Sequence, residues 1–370
     1  MDRASAYAPG RVELLGNHTD YNQGFVLAAA IDRGTTVSGR KRRDGVILVV
    51  SKTLGRRFSV PLADLRPHPS EAWANYPLGV TRELRAAGFE VRGYEAEIET
   101  DLPIGSGLSS SAALEIATAY FLGKTYGLQI DPRQIATLCR KAENEFVGVS
   151  CGLLDQMTCL FGRNGHVVCL DCRSEQVATV AMPPDVALVV SDSGMSRSLL
   201  QSEYNQRRAE CAAAAATLGV NSLREVSRQQ LESSPIDPLL YRRAAHIVGE
   251  NERVARAVQA LTQGDASGFG QQMYESHESS RRYFENSTPE LDLLVSIART
   301  LPGVFGARLT GGGFGGSTIA LVERERAESI GREIEQKYVA ATGRDVRAFI
   351  CRVADGAAIV NGPAEGGAPI

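Results

Sequence analysis

The sequence predicts an α+β fold, and three observations support this class. Several short segments are rich in β-branched residues, which favour strands. Other segments repeat apolar residues at spacings of three and four, which is the period of a helix with one buried face. The two kinds of segment are not evenly interleaved along the chain, and this argues against a doubly wound parallel sheet.

The strand predictions come from six segments of alternating or continuous β-branched character. Because each is short and bounded by turn residues, we interpret them as strands rather than as parts of buried helices. Their sequences are TTVSGR, GVILVVS, YEAEIET, VALVVSD, STIALV and VRAFICRVA.

The helix predictions are clearest in two neighbouring segments. SSAALEIATAYFLGKTYG is predicted to be a helix that stops at Gly127, and PRQIATLCRKAENEF a helix with Pro132 in its first turn. In the second segment the apolar residues recur at spacings of three and four and mark one buried stripe. Further helices are predicted near residues 203–218, 239–262 and 324–340.

The chain shows no internal repeat and no low-complexity linker. The softest boundary lies near residues 174–186, where a polar stretch precedes a new strand. We therefore predict an N-terminal domain over residues 1–180 and a C-terminal domain over 181–357. Residues 358–370 are rich in Gly and Pro at their end and are predicted to form a frayed tail.

Composition excludes several classes of function. The chain has 370 residues, of which 22% are charged, and its net charge is -3, so no basic field favours nucleic acid or anionic lipid. The sequence contains no run of eighteen apolar residues, so no membrane span is predicted. The N-terminus lacks a signal-peptide pattern. Seven scattered cysteines fit reduced thiols, so we expect a cytoplasmic protein. No feature of the sequence indicates an obligatory protein partner.

The segment LPIGSGLSSSAALEIA, residues 102–117, carries the strongest chemical signal. A predicted strand leads into a loop of glycines and serines, and the loop leads directly into a helix. Unpaired N–H groups at a helix start, with the helix dipole behind them, form an anion site. No Lys follows the last glycine, so this is not a Walker A loop. A serine-capped helix after a glycine turn is the alternative, but two glycines with three consecutive serines favour the anion site. The candidate phosphate-binding residues are Gly105, Ser106, Gly107, Leu108, Ser109, Ser110 and Ser111.

A second glycine cluster, LTGGGFGGSTIALV at residues 309–322, formally contains a GxGxxG pattern. A β-branched run follows it, whereas a dinucleotide-binding loop is followed by a helix. We therefore predict a glycine-rich hairpin between two strands, with backbone held close to another segment or a ligand.

Three further side chains complete a set that suits phosphoryl transfer. Asp155 stands among apolar neighbours, so its carboxylate must be paired, hydrated or functional. Glu143 is a candidate metal ligand, although, taken alone, it is better explained as part of a solvated helix face. Arg11 is a candidate cation for developing charge. The stretch APGRVELLGNHTDYNQG around Arg11 offers the short polar groups that a polyhydroxylated acceptor requires.

These motifs together resemble a known superfamily. PGRVELLGNHTDYN, PIGSGLSSSAA and LTGGGFGG are similar to the three motifs of the GHMP kinases, and the similarity is closest to the galactokinase family. The resemblance to that family runs from about residue 8 to residue 357. Further segments that are similar to it are CGLLDQ, SRSLLQSEYNQRR, YRRAAHIVGENERV, ESHESSRRYFENSTPELDLLV and GVFGARLTGGGFGG.

The resemblance implies a two-lobed fold with the active site in the cleft, and the use of ATP and Mg²⁺. It implies phosphorylation of the anomeric hydroxyl of D-galactose, a small-molecule sugar substrate. By position, Arg11 and Asp155 match the catalytic residues, while Ser111 and Glu143 match the Mg²⁺ ligands. The positions that match sugar contacts are Asn17, His18, Asp20, Gly152 and Tyr204.

One departure from the family pattern leaves the identity of the sugar substrate open. The family has Asn where this chain has Glu13, and a sugar-contacting Glu where it has Asn17. A neutral residue there would tolerate a sugar carboxylate, and Arg281 and Arg282 would favour one if they lay near the cleft. A sister 1-kinase acting on galacturonate or N-acetylgalactosamine is therefore one alternative. A non-catalytic galactose sensor is another, although the serine loop, Glu143, Arg11 and Asp155 are intact.

Overall fold

The computed structural model describes residues 3–103, 107–149, 151–195 and 200–360. Strands in this part of the chain form two sheets. In chain order they are β1 (Ala4–Leu15), β2 (Phe25–Lys41), β3 (Val46–Ser51), β4 (Arg56–Pro61), β5 (Tyr94–Thr100), β6 (His166–Asp171), β7 (Gln176–Ala181), β8 (Val186–Asp192), β9 (Val304–Thr310), β10 (Ser317–Glu323), β11 (Arg347–Cys351) and β12 (Ala358–Val360).

Helices cover the sheets and connect them. They are α1 (Ala72–Ala86), α2 (Ser110–Tyr126), α3 (Pro132–Lys141), α4 (Leu154–Phe161), α5 (Leu200–Thr217), α6 (Arg228–Ser233), α7 (Pro238–Thr262), α8 (Ala266–Ser279), α9 (Pro289–Arg299) and α10 (Ala327–Thr342). Among the described residues, none of these helices combines the length and the apolar character needed to cross a membrane.

The first sheet has eight strands in the order β12-β1-β2-β5-β3-β4, and β6 joins β2 to β7. Only the β3–β5 pairing is parallel. The frayed-tail prediction for residues 358–370 is wrong for residues 358–360. These form β12, because Ser5–Tyr7 of β1 offer an open strand edge with which they pair in antiparallel register. Residues 361–370 lie outside the described part.

The second sheet has four antiparallel strands in the order β11-β8-β10-β9, and the chain passes from the first sheet to the second between Ala181 and Val186. One hydrophobic cluster is built from both sheets. Val12 and Leu27 of the first sheet belong to it together with Leu188 and Ile319 of the second. This shared apolar core holds the inner strand β1 against the C-terminal half, and the functional residues of β1 lie beside it.

The predicted elements are present, with one change that matters for the site. All six predicted strands are confirmed, and α2 ends with Gly127 in the left-handed conformation that glycine favours. The helix predicted from Pro132 is α-helical only to Lys141. It continues as a π-helical turn over Ala142–Val147, in which the Gly148 N–H donates to the Glu143 carbonyl. Such widened turns are frequent at functional sites.

Candidate active site

A cavity of about 490 Å³ opens between the C-terminal part of β1 and the turn after it, the start of α2, the turn before α4, α5 and the loop between β9 and β10. It gathers most of the residues that the sequence singled out. Of the described residues, those lining it are Arg11, Glu13, Asn17, His18, Asp20, Gly107, Ser109, Ser110, Ser111, Glu143, Val149, Cys151, Gly152, Leu154, Asp155, Tyr204, Asn205, Gly311 and Gly312.

Arg11 and Asp155 form the centre of the cavity. The Nε of Arg11 donates to Oδ1 of Asp155 at 2.7 Å, and Nη2 lies 2.6 Å from the same oxygen. The third nitrogen, Nη1, donates to the Gly107 carbonyl at 2.6 Å. Burial alone would lower the pKa of Arg11, but Asp155 and Glu13 raise it above its usual value. Arg11 is therefore a permanent, fixed cation between the glycine–serine loop and the carboxylate.

The start of α2 supplies the proposed phosphate site. Ser109 occupies the N-cap position with φ of 57°, and its Oγ donates to Oδ2 of Asp155 at 2.6 Å rather than capping the helix. The 17-residue helix therefore presents backbone N–H groups of its first turn beside the cavity, together with Ser110 and Ser111. Gly105 and Ser106 lie outside the described residues.

Leu108, one of the predicted phosphate-binding residues, contributes no side chain to the cavity wall. Its side chain is buried in the core shared by the two sheets, because an isobutyl group next to the loop gains more from that apolar environment than from water. Its carbonyl accepts a hydrogen bond from the Arg11 N–H at 3.1 Å. Leu108 thus anchors the loop to β1.

Glu143 and Ser111, the predicted metal ligands, lie together. The Ser111 hydroxyl acts to lower the pKa of the Glu143 carboxyl, and the Oε2 of Glu143 accepts a hydrogen bond from Gln156 at 3.0 Å. Burial raises the pKa of Glu143. Beneath it lies Glu115, fully buried, whose Oε1 has no hydrogen-bond partner within the described structure. A carboxylate and a hydroxyl beside a phosphate site are the hard oxygen donors that suit Mg²⁺ held jointly with phosphates.

His18 has both ring nitrogens engaged within the protein. Nε2 lies 3.0 Å from the Gly312 carbonyl, which can only accept, so Nε2 carries the hydrogen. Nδ1 then accepts from the Tyr21 hydroxyl at 2.9 Å. Burial lowers the pKa of His18 to about 4, so the ring is neutral near pH 7. The ring lines the cavity, but its polar atoms join the N-terminal turn to the glycine-rich hairpin.

Asp20 and Gly152 meet on the opposite wall. A Cβ on Gly152 would lie 2.4 Å from the Oδ2 of Asp20, so the absence of a side chain lets the carboxylate sit there. Burial raises the pKa of Asp20 to about 6, with the Tyr21 N–H acting against it. The ring of Tyr204 lies 5.2 Å from that of His18 and completes this wall. These groups present one acceptor and one aromatic face to the cavity.

Asn17 is brought to the cavity but its polar atoms are already used. Its Nδ2 donates to Oε1 of Glu13 at 2.9 Å and to the Gly311 carbonyl at 2.8 Å. Its Oδ1 accepts from Nδ2 of Asn286 at 2.8 Å, with the Ser280 hydroxyl at 3.4 Å. The residue is fully buried. Because an amide side chain has two donor hydrogens and two acceptor positions, Asn17 has no capacity left for a ligand.

The charge of the cavity wall is strongly negative. Among its described residues there are four carboxylates, Glu13, Asp20, Glu143 and Asp155, and one cation, Arg11. Arg281 and Arg282, which would favour an acidic sugar if they faced the cleft, are exposed on the surface and paired with Glu278. The wall is therefore suited to a neutral polyol and to a phosphate group neutralised by a divalent cation.

Several residues around the cavity were not predicted as site residues. Cys151 and Asn205 are next in sequence to predicted ones, and Gly311 and Gly312 belong to the glycine cluster already expected to approach a ligand or another segment. No local signal points to Arg308, which is fully buried and reaches the carboxylate of Glu13 from a strand almost three hundred positions away. Such partners are defined only by the fold.

Comparisons with known proteins agree with this arrangement. Three family models match: "GHMP kinases N terminal domain" over residues 75–163, "GHMP kinases C terminal" over 257–340, and "Galactokinase galactose-binding signature" over 2–41. A galactokinase from Roseiflexus sp. (strain RS-1) is 45% identical over 358 residues, covering 94% of this chain and 91% of that protein. The chain belongs to the galactokinase family. The human galactokinase is 40% identical over 363 residues, covering 95% of this chain and 91% of its own.

The galactokinase assignment extends to the three-dimensional structure. The crystal structure of Lactococcus lactis galactokinase complexed with galactose matches with a TM-score of 0.93 at 33% identity, covering 97% of this chain and 95% of that one. The predicted α+β GHMP kinase fold and the resemblance to the galactokinase family are thereby confirmed. The galactose-binding signature covers β1 and the turn after it, which form one wall of the cavity described above.

Proposed function

We propose that this protein transfers the γ-phosphoryl group of ATP to the anomeric hydroxyl of D-galactose and forms galactose 1-phosphate. The observation that carries the proposal is the Arg11–Asp155 pair, which faces the helix-start serines inside one cavity lined by short polar groups. The galactokinase relatives and the structure complexed with galactose support the choice of sugar.

The proposed reaction needs little covalent chemistry from the protein. Asp155 accepts a hydrogen bond from the anomeric hydroxyl and takes its proton as the new oxygen–phosphorus bond forms and the bond to the leaving ADP oxygen breaks. Arg11 holds Asp155 in place and stabilises negative charge on the transferring group. The first turn of α2 and its serines receive the phosphate oxygens.

Glu143 and Ser111 are the residues that would hold Mg²⁺ in this proposal. When bound, the ion neutralises charge on the phosphate oxygens of ATP. Both side chains line the same cavity beside the start of α2, and the Ser111 hydroxyl acts on the pKa of the Glu143 carboxyl, which supports the assignment. The negative charge of the remaining wall supports D-galactose over galacturonate, because it would repel a sugar carboxylate.

The cytoplasm is the proposed compartment. All seven cysteines are free thiols in the structure, and Cys139, Cys159, Cys211 and Cys351 are buried. Reduced thiols of this kind are typical of a reducing environment.

The proposal is tested by measuring ATP consumption with D-galactose, D-galacturonate, N-acetylgalactosamine and D-glucose, with the product identified by phosphorus NMR. Turnover of D-galactose to the 1-phosphate is expected. Turnover of galacturonate or N-acetylgalactosamine without turnover of galactose would assign the protein to a sister 1-kinase. Measurable galactose binding without turnover of any sugar would indicate a sensor.

A further inference from the structure

Glu13 is a buried carboxylate in the cavity wall to which the reaction above gives no role. It lies on the same face of β1 as Arg11, two residues further on, which places it about 6.6 Å along the strand. Its backbone is fixed from the second sheet: the Glu13 N–H donates to the Thr310 hydroxyl at 3.0 Å, and that hydroxyl lies 3.0 Å from the Glu13 carbonyl. Thr310 of the second sheet thus fixes the backbone of Glu13 at both its N–H and its carbonyl group.

One oxygen of the carboxylate is held and the other is not. Oε1 accepts from Nδ2 of Asn17 at 2.9 Å and from Nη1 of Arg308 at 3.1 Å. No described residue donates a hydrogen bond to Oε2, which is left accessible at the cavity wall. Burial raises the pKa of Glu13, whereas Arg308 and Arg11 act to lower it. The side chain therefore presents one oriented acceptor to the cavity.

The neighbouring Asn17 has no such acceptor or donor to offer. All its hydrogen-bonding positions are taken by Glu13, Gly311, Asn286 and Ser280, and its backbone N–H and carbonyl are bonded to Glu250 and His246. A residue in this state orients its neighbours and does not bind a ligand. Its contact with Glu13 turns the carboxylate so that Oε2 faces the cavity.

We propose that Glu13 is the sugar-binding carboxylate at the end of the cavity away from Asp155, and that Asn17 is a positioning residue for it. The inference rests on the proposed function, because Asp155 then fixes the anomeric end of the ring. The hydroxyls on the far side of a hexopyranose are those on C4 and C6. Oε2 of Glu13 accepts a hydrogen bond from one of them, and its negative charge disfavours a sugar that carries a carboxylate there.

The test is Glu13→Gln, assayed with D-galactose and with its 2-deoxy, 4-deoxy and 6-deoxy analogues. The amide oxygen of the variant faces the donors Asn17 and Arg308, so its NH₂ group replaces an acceptor with a donor at the cavity wall. We expect kcat/KM for galactose to fall about 10- to 100-fold, the range for a hydrogen bond to a charged group. The 2-deoxy sugar, altered next to the reacting carbon, should show the same fall.

The decisive comparison is with the sugars altered on the far side. With the 4-deoxy or the 6-deoxy sugar, or both, the variant should match the wild-type protein within about twofold, because the hydrogen bond is already absent. An equal loss with all four sugars would show that Glu13 is only structural and would overturn the proposal. Failure of the wild-type protein to phosphorylate galactose would instead overturn the proposed function.

Two further variants and one measurement on the wild-type protein serve as controls. Glu83→Gln removes another buried carboxylate, one paired with Arg82 and Lys141 outside the cavity, and should not change the ranking of the sugars. Asn17→Ser, which removes the donor to Glu13, should reproduce the deoxy-sugar pattern of Glu13→Gln, and a uniform loss would contradict its positioning role. If Glu13→Gln does not fold, the wild-type protein is assayed with the deoxy sugars instead. A kcat/KM that falls less than about twofold, relative to galactose, with both the 4-deoxy and the 6-deoxy sugar would overturn the proposal.

Discussion

Arg11 and Asp155 are joined by two nitrogen contacts to a single carboxylate oxygen, which leaves the second oxygen to a serine hydroxyl. Nε and Nη2 of Arg11 lie 2.7 and 2.6 Å from Oδ1, and Ser109 donates to Oδ2 at 2.6 Å. The carboxylate is thus tied at once to β1 and to the start of α2. Any displacement of either element moves the group on which the proposed proton transfer depends.

Replacing Asp155 by Asn is expected to lower kcat by about 10²- to 10⁴-fold, because the proton acceptor is lost while the hydrogen bond to Ser109 can be kept. ATP affinity, measured by equilibrium titration, should stay within about threefold. Asp64→Asn, at an exposed carboxylate paired with Arg66, serves as the control. If kcat of the Asp155 variant stays within about tenfold of the wild-type value, or about 1.4 kcal/mol in the activation barrier, Asp155 is not the proton acceptor.

Replacing Glu143 by Gln is expected to raise the Mg²⁺ concentration for half-maximal rate by about tenfold or more, because a charged oxygen ligand becomes neutral. KM for galactose should change by less than about twofold. Glu145, two residues further along the same turn, has a side chain that is 56% exposed, so Glu145→Gln is a matched control. An unchanged Mg²⁺ dependence in the Glu143 variant would contradict the metal assignment.

Sugar binding is expected to weaken as the pH falls through about 6, the pKa to which burial raises Asp20. The ionised carboxylate is the form that accepts hydrogen bonds from hydroxyls, and protonation removes it from the wall. KM for galactose should therefore be about tenfold higher at pH 5 than at pH 7, with most of the change absent in Asp20→Asn. A wild-type KM that is flat over this range would mean that Asp20 does not bind the sugar in its ionised form.

Gly152→Ala tests the closeness of the turn before α4 to Asp20. Gly152 is not in the left-handed region, so a methyl group adds no backbone strain, but it would lie 2.4 Å from Oδ2 and displace the carboxylate. KM for galactose should rise about tenfold or more, with ATP affinity unchanged. Gly123→Ala inside α2 is the control: its Cβ meets only the Leu128 carbonyl at 3.9 Å, and the variant should be about 0.5–1 kcal/mol more stable. Equal KM values for the two variants would contradict this prediction.

The catalytic and phosphate-binding residues proposed above could be predicted from the sequence because each prediction depends on local chemistry. A glycine–serine loop before a helix is recognisable without knowledge of the fold, and so is Asp155 in an apolar setting. The end of α2 at Gly127 was predictable for the same reason. Strand β1 was not, because Pro9 and Gly10, two residue types that are depleted in strands, stand in its middle.

The proposed sugar-binding end of the cavity depends on contacts that no local sequence pattern reveals. Whether Glu13 points inward is decided by Thr310 and Arg308 on β9, far away in sequence. The saturation of Asn17 likewise depends on Asn286 and Gly311, which only the folded chain brings near. His18 was expected to touch the sugar because of its position, but its hydrogen bonds to Gly312 and Tyr21 use both ring nitrogens. These assignments required the three-dimensional arrangement.

Because β12 pairs with β1, the first sheet cannot be completed until the last of its strands has been synthesised. Strand β1 carries Arg11 and Glu13, and Ser5–Tyr7 of the same strand complete their hydrogen bonds only with residues 358–360. At a ribosomal rate of roughly 5–20 residues per second, β12 follows β1 after roughly 20–70 seconds. During that interval the nascent chain has an open strand edge at Ser5–Tyr7, on the strand that also carries Arg11 and Glu13, and such an edge can pair with other chains.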